Sequence, residues 1–171
     1  MKFVAPDLRL LDGLKADCLA LTFFADELPP RGTAGLVDWR YLGLLSRKLL
    51  SGEVGGHEGE LVLLPGKPRI LGIDKLVLCG AGNRSELTET VFTAVTTRLL
   101  DALVRLAGRS CVLALPGDNR NLIAPERAMD LLLQVAPDRE ELELTLIEGG
   151  EAHKRMVPVL DRHRQKQRAA L

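Results

Sequence analysis

Residues 31–50, RGTAGLVDWRYLGLLSRKLL, are the least generic part of the sequence and hold its only tryptophan, Trp39, and its only tyrosine, Tyr41. Apolar residues recur there every three or four positions, which predicts one helix over 36–50 with its Leu and Trp side chains packed on a sheet. Asp38 falls in the first turn of that helix, where a carboxylate complements the helix dipole. A helix packed on a sheet is therefore the local unit from which the rest of the fold is inferred.

The residues before this helix predict a pair of strands and a loop. DLRLL (7–11) and DCLALTFF (17–24) predict two strands joined by a turn around Asp12 and Gly13, and the alternation in LRL favours an edge position for the first. The two prolines and two glycines of DELPPRGTAG (26–35) predict a loop. The opening strand pair predicts an antiparallel strand at an edge of the sheet.

After this helix, predicted strands and helices alternate. Four further strands are predicted, at 60–66, 75–82, 110–117 and 141–149. Helices are predicted at 86–107, from Pro125 to before Pro137, and from about Glu151 onward. The apolar runs LVLL, LVLC and VLAL are typical of parallel strands that are covered on both faces. The pattern predicts an α/β fold, a three-layer α/β/α sandwich with a mostly parallel mixed sheet of about six strands.

Length and charge limit the classes of function. A chain of 171 residues suggests one domain over 1–171, and 46% hydrophobic with 27% charged residues is typical of a globular protein. The 23 basic residues balance 23 acidic ones, so the whole chain has no electrostatic attraction to DNA or to an anionic membrane. Nucleic acid and membrane are therefore not expected partners.

The sequence also indicates the compartment. No apolar run approaches the roughly 18 residues that a membrane-spanning helix needs. Pro6 and Asp7 interrupt any signal-peptide core, so a cytoplasmic location is expected. Cys18, Cys79 and Cys111 lie in apolar runs without a C-x-x-C pair, which favours small buried hydrophobic residues over a nucleophile or a ligand set.

Glycine-rich turns at the carboxyl ends of the predicted strands form the candidate ligand site. Sheets of this kind bind ligands outside those strand ends, and glycines ahead of a helix N-terminus suit a phosphate. The candidate ligand-binding residues are Gly80, Ala81, Gly82, Asn83, Gly117, Asp118 and Asn119. The alternative is that Gly80 and Gly82 only permit a tight turn.

No residues form a convincing catalytic or metal motif. His57, His153 and His163 are far apart and have no metal-ligand spacing. The adjacent Asp26 and Glu27 precede a proline, where acidic residues more often serve a turn than an acid/base pair. A G-x-S-x-G elbow does not occur. We therefore predict no catalytic residue, no metal ion and no cofactor.

The stretch 151–171 predicts a basic terminal helix. Six Lys and Arg residues face only two acidic residues there, and Pro158 must kink or restart the helix. A solvated helix is one interpretation and contact with nucleic acid is another. No aromatic residues are interleaved for base stacking, which favours the first.

Residues 26–50, DELPPRGTAGLVDWRYLGLLSRKLL, resemble the signature of the N-terminal domain of M17 leucyl aminopeptidases. The glycine-rich residues 52–60, the following LVLLPG and the run KLVLCGAG are also similar to that domain. The resemblance covers about 7–107 well and 110–150 only in its pattern of strands and helices. It implies a macro-domain-like α/β fold, in agreement with the order of predicted elements.

The same resemblance sets expectations for function. In that family the catalytic residues and two metal ions lie in a following domain, in motifs such as NTDAEGRL that this sequence does not contain. The resemblance therefore implies a stand-alone, non-catalytic domain for oligomerisation or protein interaction, binding itself or a separate aminopeptidase subunit. The start at Met1 favours a natural short protein. The alternatives are a nucleotide or ADP-ribose binding module and the accessory half of a metal-dependent leucyl aminopeptidase.

Overall fold

The computed structural model describes residues 1–106, 108–117, 122–136 and 142–169. These residues form one six-stranded sheet with the order β1-β6-β5-β2-β4-β3. The strands are β1 Lys2–Val4, β2 Lys15–Phe23, β3 Leu61–Pro65, β4 Gly72–Gly80, β5 Ser110–Leu113 and β6 Glu143–Ile147. Strands β1, β6, β5, β2 and β4 run parallel to one another, and β3 runs antiparallel to β4 at one edge.

Helices cover both faces of the sheet. They are α1 Leu8–Asp12, α2 Gly32–Arg40, α3 Leu44–Leu50, α4 Glu89–Arg105, α5 Pro125–Val135 and α6 Gly150–Ala169. Alternate residues of β2 point to opposite faces, so Cys18 and Ala20 pack with α4 and α5, whereas Leu19 and Leu21 pack with α1, α2 and α3. The predicted three-layer sandwich and its mostly parallel sheet are confirmed.

The start of the chain differs from the prediction. The stretch 7–11 was expected to be a strand but forms α1, because the Asp7 carboxylate accepts the N–H of Arg9 at 2.8 Å and caps a helical turn. The first strand lies earlier, at β1, where Lys2 pairs with Thr145 of β6. Alternation over three residues does not distinguish a strand from one helical turn. The Asp7 cap therefore determines that this segment is helical.

The antiparallel strand also lies elsewhere than predicted. The opening strands are parallel to their neighbours, and β3 is the antiparallel edge strand. Its direction follows from a short connection, because the six residues between β3 and β4 cannot carry a parallel crossover.

The expected single helix over 36–50 is two helices. The chain breaks at Tyr41–Gly43, where Leu42 has φ 56° and Gly43 has φ 73°. Trp39, which was expected to pack on the sheet, is 62% exposed, whereas Tyr41 is fully buried. Among the later helices, Pro125 begins α5 as predicted. Pro158 does not restart the last helix, because α6 is one helix over Gly150–Ala169.

Candidate functional site

The predicted ligand residues lie at the carboxyl edge of the parallel strands. Gly80 ends β4, Ala81 is buried, Gly82 has φ 71° and Asn83 is exposed. Gly117 follows β5 at the same edge, also with positive φ. Asp118 and Asn119 lie outside the described residues.

The backbone N–H groups of this turn are used inside the protein. Gly80 donates to the carbonyl of Glu60 at 2.9 Å, and Gly82 donates to the carbonyl of Gly56 at 3.0 Å. Ala81 donates to the last carbonyl of β2 at 2.9 Å. A phosphate needs such N–H groups free. In this conformation the turn cannot offer these three donors to a ligand.

The loop 55–60 explains why glycine is needed here. A Cβ on Gly80 would lie 2.2 Å from the carbonyl oxygen of His57, and a Cβ on Gly56 would lie 2.8 Å from the Ala25 backbone. The Glu60 carboxylate holds the loop closed by accepting the Gly56 N–H at 2.7 Å. Close approach of two backbones therefore accounts for the glycines without a ligand.

Two of the residues considered for metal binding or acid/base chemistry, His153 and Asp26, have structural contacts. The His153 ring stacks on Phe3, with the ring centroids 4.3 Å apart. Asp26 accepts the backbone N–H of Arg84 at 2.9 Å and so ties two loops together. Within the described ranges, no cluster of three or more His, Cys, Asp or Glu is placed to hold a metal ion.

The three cysteines are free thiols and are buried. Burial raises the pKa of Cys79 to about 11 and that of Cys111 to about 12. Cys18 lies opposite Cys111 in the pairing of β2 with β5, and burial raises its pKa as well. Thiols with raised pKa values are poor nucleophiles at neutral pH.

No helix in the described part of the chain has the length and apolarity to cross a membrane.

An exposed apolar surface lies instead at the break between α2 and α3. We call it the Trp39 patch and define it as Pro29, Trp39, Leu42 and Ile70, which border an open groove of about 800 Å³. Trp39 is 62% exposed and Leu42 is 78% exposed. Tryptophan is enriched among the residues that dominate protein interfaces, so the Trp39 patch is a candidate interface.

Local structure forces these two side chains outward. The Asp38 carboxylate turns inward and accepts the N–H of Leu45, the second residue of α3, at 2.7 Å. The Tyr41 hydroxyl also turns inward and accepts the N–H of Lys67 at 3.2 Å. With Asp38 and Tyr41 facing inward, Trp39 and Leu42 are left on the outer side.

Basic groups surround the patch. The Arg40 guanidinium lies 4.9 Å from the Trp39 ring centroid and also pairs with Asp12. Arg47 donates to the carbonyl of Leu42. An apolar centre with a basic border suits an acidic protein surface that carries an apolar side chain.

Sequence reasoning missed this patch. At about 100° per residue, Asp38, Trp39, Tyr41 and Leu42 fall within an arc of about 160° of a regular helix, so the pattern predicts one shared face for all four. The helical pattern gave no indication of which side chains would be exposed. The inward contacts of Asp38 and Tyr41 determine which side chains are exposed.

Comparison with known proteins finds one matching family and a curated relative. The model of the cytosol aminopeptidase family, N-terminal domain, matches residues 21–134. A probable cytosol aminopeptidase of Halorhodospira halophila (strain DSM 244 / SL1) is 31% identical over 113 residues, which are 66% of this chain and 21% of that protein. The chain thus spans about a fifth of the length of this curated relative.

Solved structures share the fold at low sequence identity. A mutant of tomato leucine aminopeptidase has a TM-score of 0.63 at 16% identity, with 92% of this chain and 34% of that chain covered. The Oceanobacillus iheyensis macrodomain with ADP has a TM-score of 0.72 at 12% identity, with 96% and 91% covered. These likenesses show a macrodomain-like fold, and the family match covers the N-terminal domain only.

Proposed function

Because this chain belongs to the cytosol aminopeptidase family through the N-terminal domain of that family, we propose that it is a non-catalytic interaction domain that docks an aminopeptidase catalytic subunit. The observation that carries the proposal is the exposure of Trp39 and Leu42 on a structured surface. The H. halophila relative is named as a cytosol aminopeptidase, and a cytoplasmic location is part of the same proposal.

The Trp39 patch suits this role energetically. Burying apolar surface contributes about 25 cal/mol per Å², so covering one exposed tryptophan and one leucine contributes a few kcal/mol. The backbone at Leu42 is in the left-handed region, which is unfavourable for a leucine, and the side chain gains no burial in return. A partner that covers Leu42 adds burial that offsets this unfavourable backbone conformation.

Arg40 and Arg47 indicate the chemistry of the partner. Both stand beside the patch, and the charge of Arg40 is already paired with Asp12. The charge of Arg47 favours an acidic group beside an apolar side chain on the docking subunit. The same subunit could be a separate protein or a further part of one polypeptide, as in the accessory-half hypothesis. Both versions use the same patch.

The test uses the purified chain and the catalytic subunit of the aminopeptidase from the same organism. Calorimetry measures their affinity, and light scattering after size-exclusion chromatography measures the mass of the complex. We expect Trp39→Ala to weaken binding at least tenfold, since interface tryptophans commonly contribute about 2 kcal/mol or more. Leu50→Ala is the matched control, because Leu50 is 70% exposed but lies outside the patch.

Two results would overturn the proposal. One is a chain that stays alone in the presence of the catalytic subunit. The other is an equal affinity for the wild type and for Trp39→Ala. Leucine-p-nitroanilide turnover by the chain alone, with added manganese or zinc, would contradict its non-catalytic part.

A nucleotide or ADP-ribose ligand at the turn 80–83 and at Gly117 is the second candidate. Its support is the fold shared with a macrodomain solved with ADP, together with glycines at the corresponding sheet edge. Binding through the N–H groups of Gly80 and Gly82 requires the loop 55–60 to move, since carbonyl groups of that loop accept both. Calorimetric titration with ADP-ribose decides it, and no heat at millimolar ligand ends this candidate.

A further inference from the structure

Strand β3 leaves an apolar edge of the sheet open to solvent. Leu61 is 41% exposed and Leu63 is 54% exposed, and both border a groove of about 650 Å³ between β3 and α4. We propose that two copies of this chain pair antiparallel through β3, so that one sheet continues across the dimer. This surface is separate from the Trp39 patch and does not depend on the docking proposed for it.

The backbone of β3 is arranged for such pairing. Gly66 donates to the carbonyl of Asp74 at 2.8 Å, and the register pairs Leu64 with Leu76. Bonded pairs alternate along an antiparallel ladder, so Val62 and Leu64 turn their N–H and C=O groups toward β4. Leu61 and Leu63 therefore direct theirs outward, where a further strand would meet them.

The edge carries little protection against pairing. Proteins usually guard exposed edge strands with charged residues or proline. From Leu61 to Leu64 β3 has no charged residue, and Pro65 only closes its end. The opposite edge strand, β1, is three residues long and begins with a charged residue, Lys2. An apolar, unguarded edge is expected to pair with another strand.

The occupant that fits best is a second copy. Antiparallel pairing about a twofold axis sets Leu61 of one copy opposite Leu63 of the other, so each N–H meets a C=O on both sides of the axis. The side chains of the same residues extend the apolar floor formed by Val77 and Ala102.

Helix α4 supplies matching charges at the rim of the groove. Arg98, Asp101 and Arg105 follow one another at about one-turn spacing, and all three border it. A twofold axis reverses the direction of the second α4, so Arg98 of one copy lies toward Asp101 of the other. Opposite charges on one self-facing surface favour association with an identical surface.

Sedimentation velocity over a range of micromolar concentrations tests this inference. We expect the wild type to form a dimer and Leu63→Lys to be monomeric at every concentration, because a charge would be buried on the shared edge. Leu50→Lys is the control and should remain dimeric. Circular dichroism should show the same far-UV spectrum for Leu63→Lys as for the wild type, since the replaced side chain is exposed. At concentrations where the wild type is dimeric, the variant should melt at a lower temperature, because dimerisation stabilises the folded state.

A charge exchange tests the orientation. Arg98→Asp should raise the dissociation constant about tenfold, and the double variant Arg98→Asp/Asp101→Arg should recover the wild-type value. A monomeric wild type, or a Leu63→Lys variant that still dimerises, would overturn the inference. Trp39→Ala should leave the dimer intact, and Leu63→Lys should leave subunit docking intact, so failures of the two proposals can be told apart.

Discussion

The carboxylate of Asp38, in α2, accepts the backbone N–H of Leu45, in α3, at 2.7 Å across the break between the two helices. It also accepts the N–H of Ser46 at 3.2 Å, and Asp38 is only 6% exposed. The first N–H groups of a helix have no partner within the helix, so this side chain supplies one for α3. The same contact keeps Trp39 on the outer surface.

Asp38→Ala should lower the free energy of unfolding by about 1–3 kcal/mol, because two N–H groups near the start of α3 lose their acceptor. Thermal and urea denaturation followed by circular dichroism measures the change. Asp12→Ala is the control, since it removes an exposed pair with Arg40 whose loss costs at most about 1 kcal/mol. Equal losses in the two variants would contradict the capping role.

Leu42→Gly should raise the free energy of unfolding by up to about 1 kcal/mol, because glycine adopts the left-handed backbone without strain. Little burial is lost, since Leu42 is 78% exposed. The same variant should bind the aminopeptidase subunit more weakly. Leu50→Gly, at the end of α3, should instead lower stability by up to about 1 kcal/mol, and the same sign in both variants would count against strain at Leu42.

Gly80→Ala should lower the free energy of unfolding by about 1–3 kcal/mol or more, because the new methyl group would meet backbone rather than a movable side chain. Urea denaturation measures the loss. Gly150→Ala is the matched control, since nothing lies within 4 Å of a Cβ there. A stable Gly80→Ala protein would show that the loop 55–60 is free to move, which would favour the nucleotide candidate.

Asp17 should make stability depend on pH in the acid range. Its carboxylate accepts the N–H groups of Arg109 at 2.8 Å and Ser110 at 3.0 Å, and these bonds lower its pKa. A lowered pKa stabilises the fold above the unfolded value, about 3.9, and that contribution is lost as the pH falls through the folded value. Asp17→Ala should therefore melt at a lower temperature than the wild type at neutral pH, with a difference that shrinks below about pH 4. A difference independent of pH would contradict this assignment.

The three thiols should resist modification in the native protein. Burial raises the pKa of Cys79 to about 11 and that of Cys111 to about 12, and solvent does not reach Cys18. We expect no reaction with a disulfide reagent at neutral pH and reaction of all three thiols in denaturant, counted by mass spectrometry. Rapid labelling of one thiol in the native state would show a local opening at its strand.

Much of the fold follows from patterns that are local in the chain. Uninterrupted apolar runs predicted the buried strands β4 and β5, and Pro125 marked the start of α5. The segment Leu8–Asp12 differs from its predicted strand because a three-residue alternation occurs in both strands and helical turns, and the Asp7 cap favours the helical turn. The break at Leu42 was missed because a helical pattern continues on both sides of it.

The candidate ligand site likewise has one feature that the sequence predicted and one that it did not. The sequence correctly located the turn at Gly80–Asn83 at the end of a parallel strand, because an apolar run ending in glycines is a local signal. It could not show that the N–H groups of the turn bond to the loop 55–60 and to β2, since those partners are distant in the chain. That result depends on how separate segments come together.

The sequence by itself determined the layers of this protein, its family resemblance and the burial of its cysteines, because apolar periodicity and sequence motifs are properties of neighbouring residues. Tertiary structure alone decided which side chains of the stretch 31–50 face solvent. Tyr41 and Asp38 find partners in Lys67 and Leu45, and those contacts turn Trp39 and Leu42 outward. Burial depends on the partners that a fold supplies, and a helical pattern records only that some face must be covered.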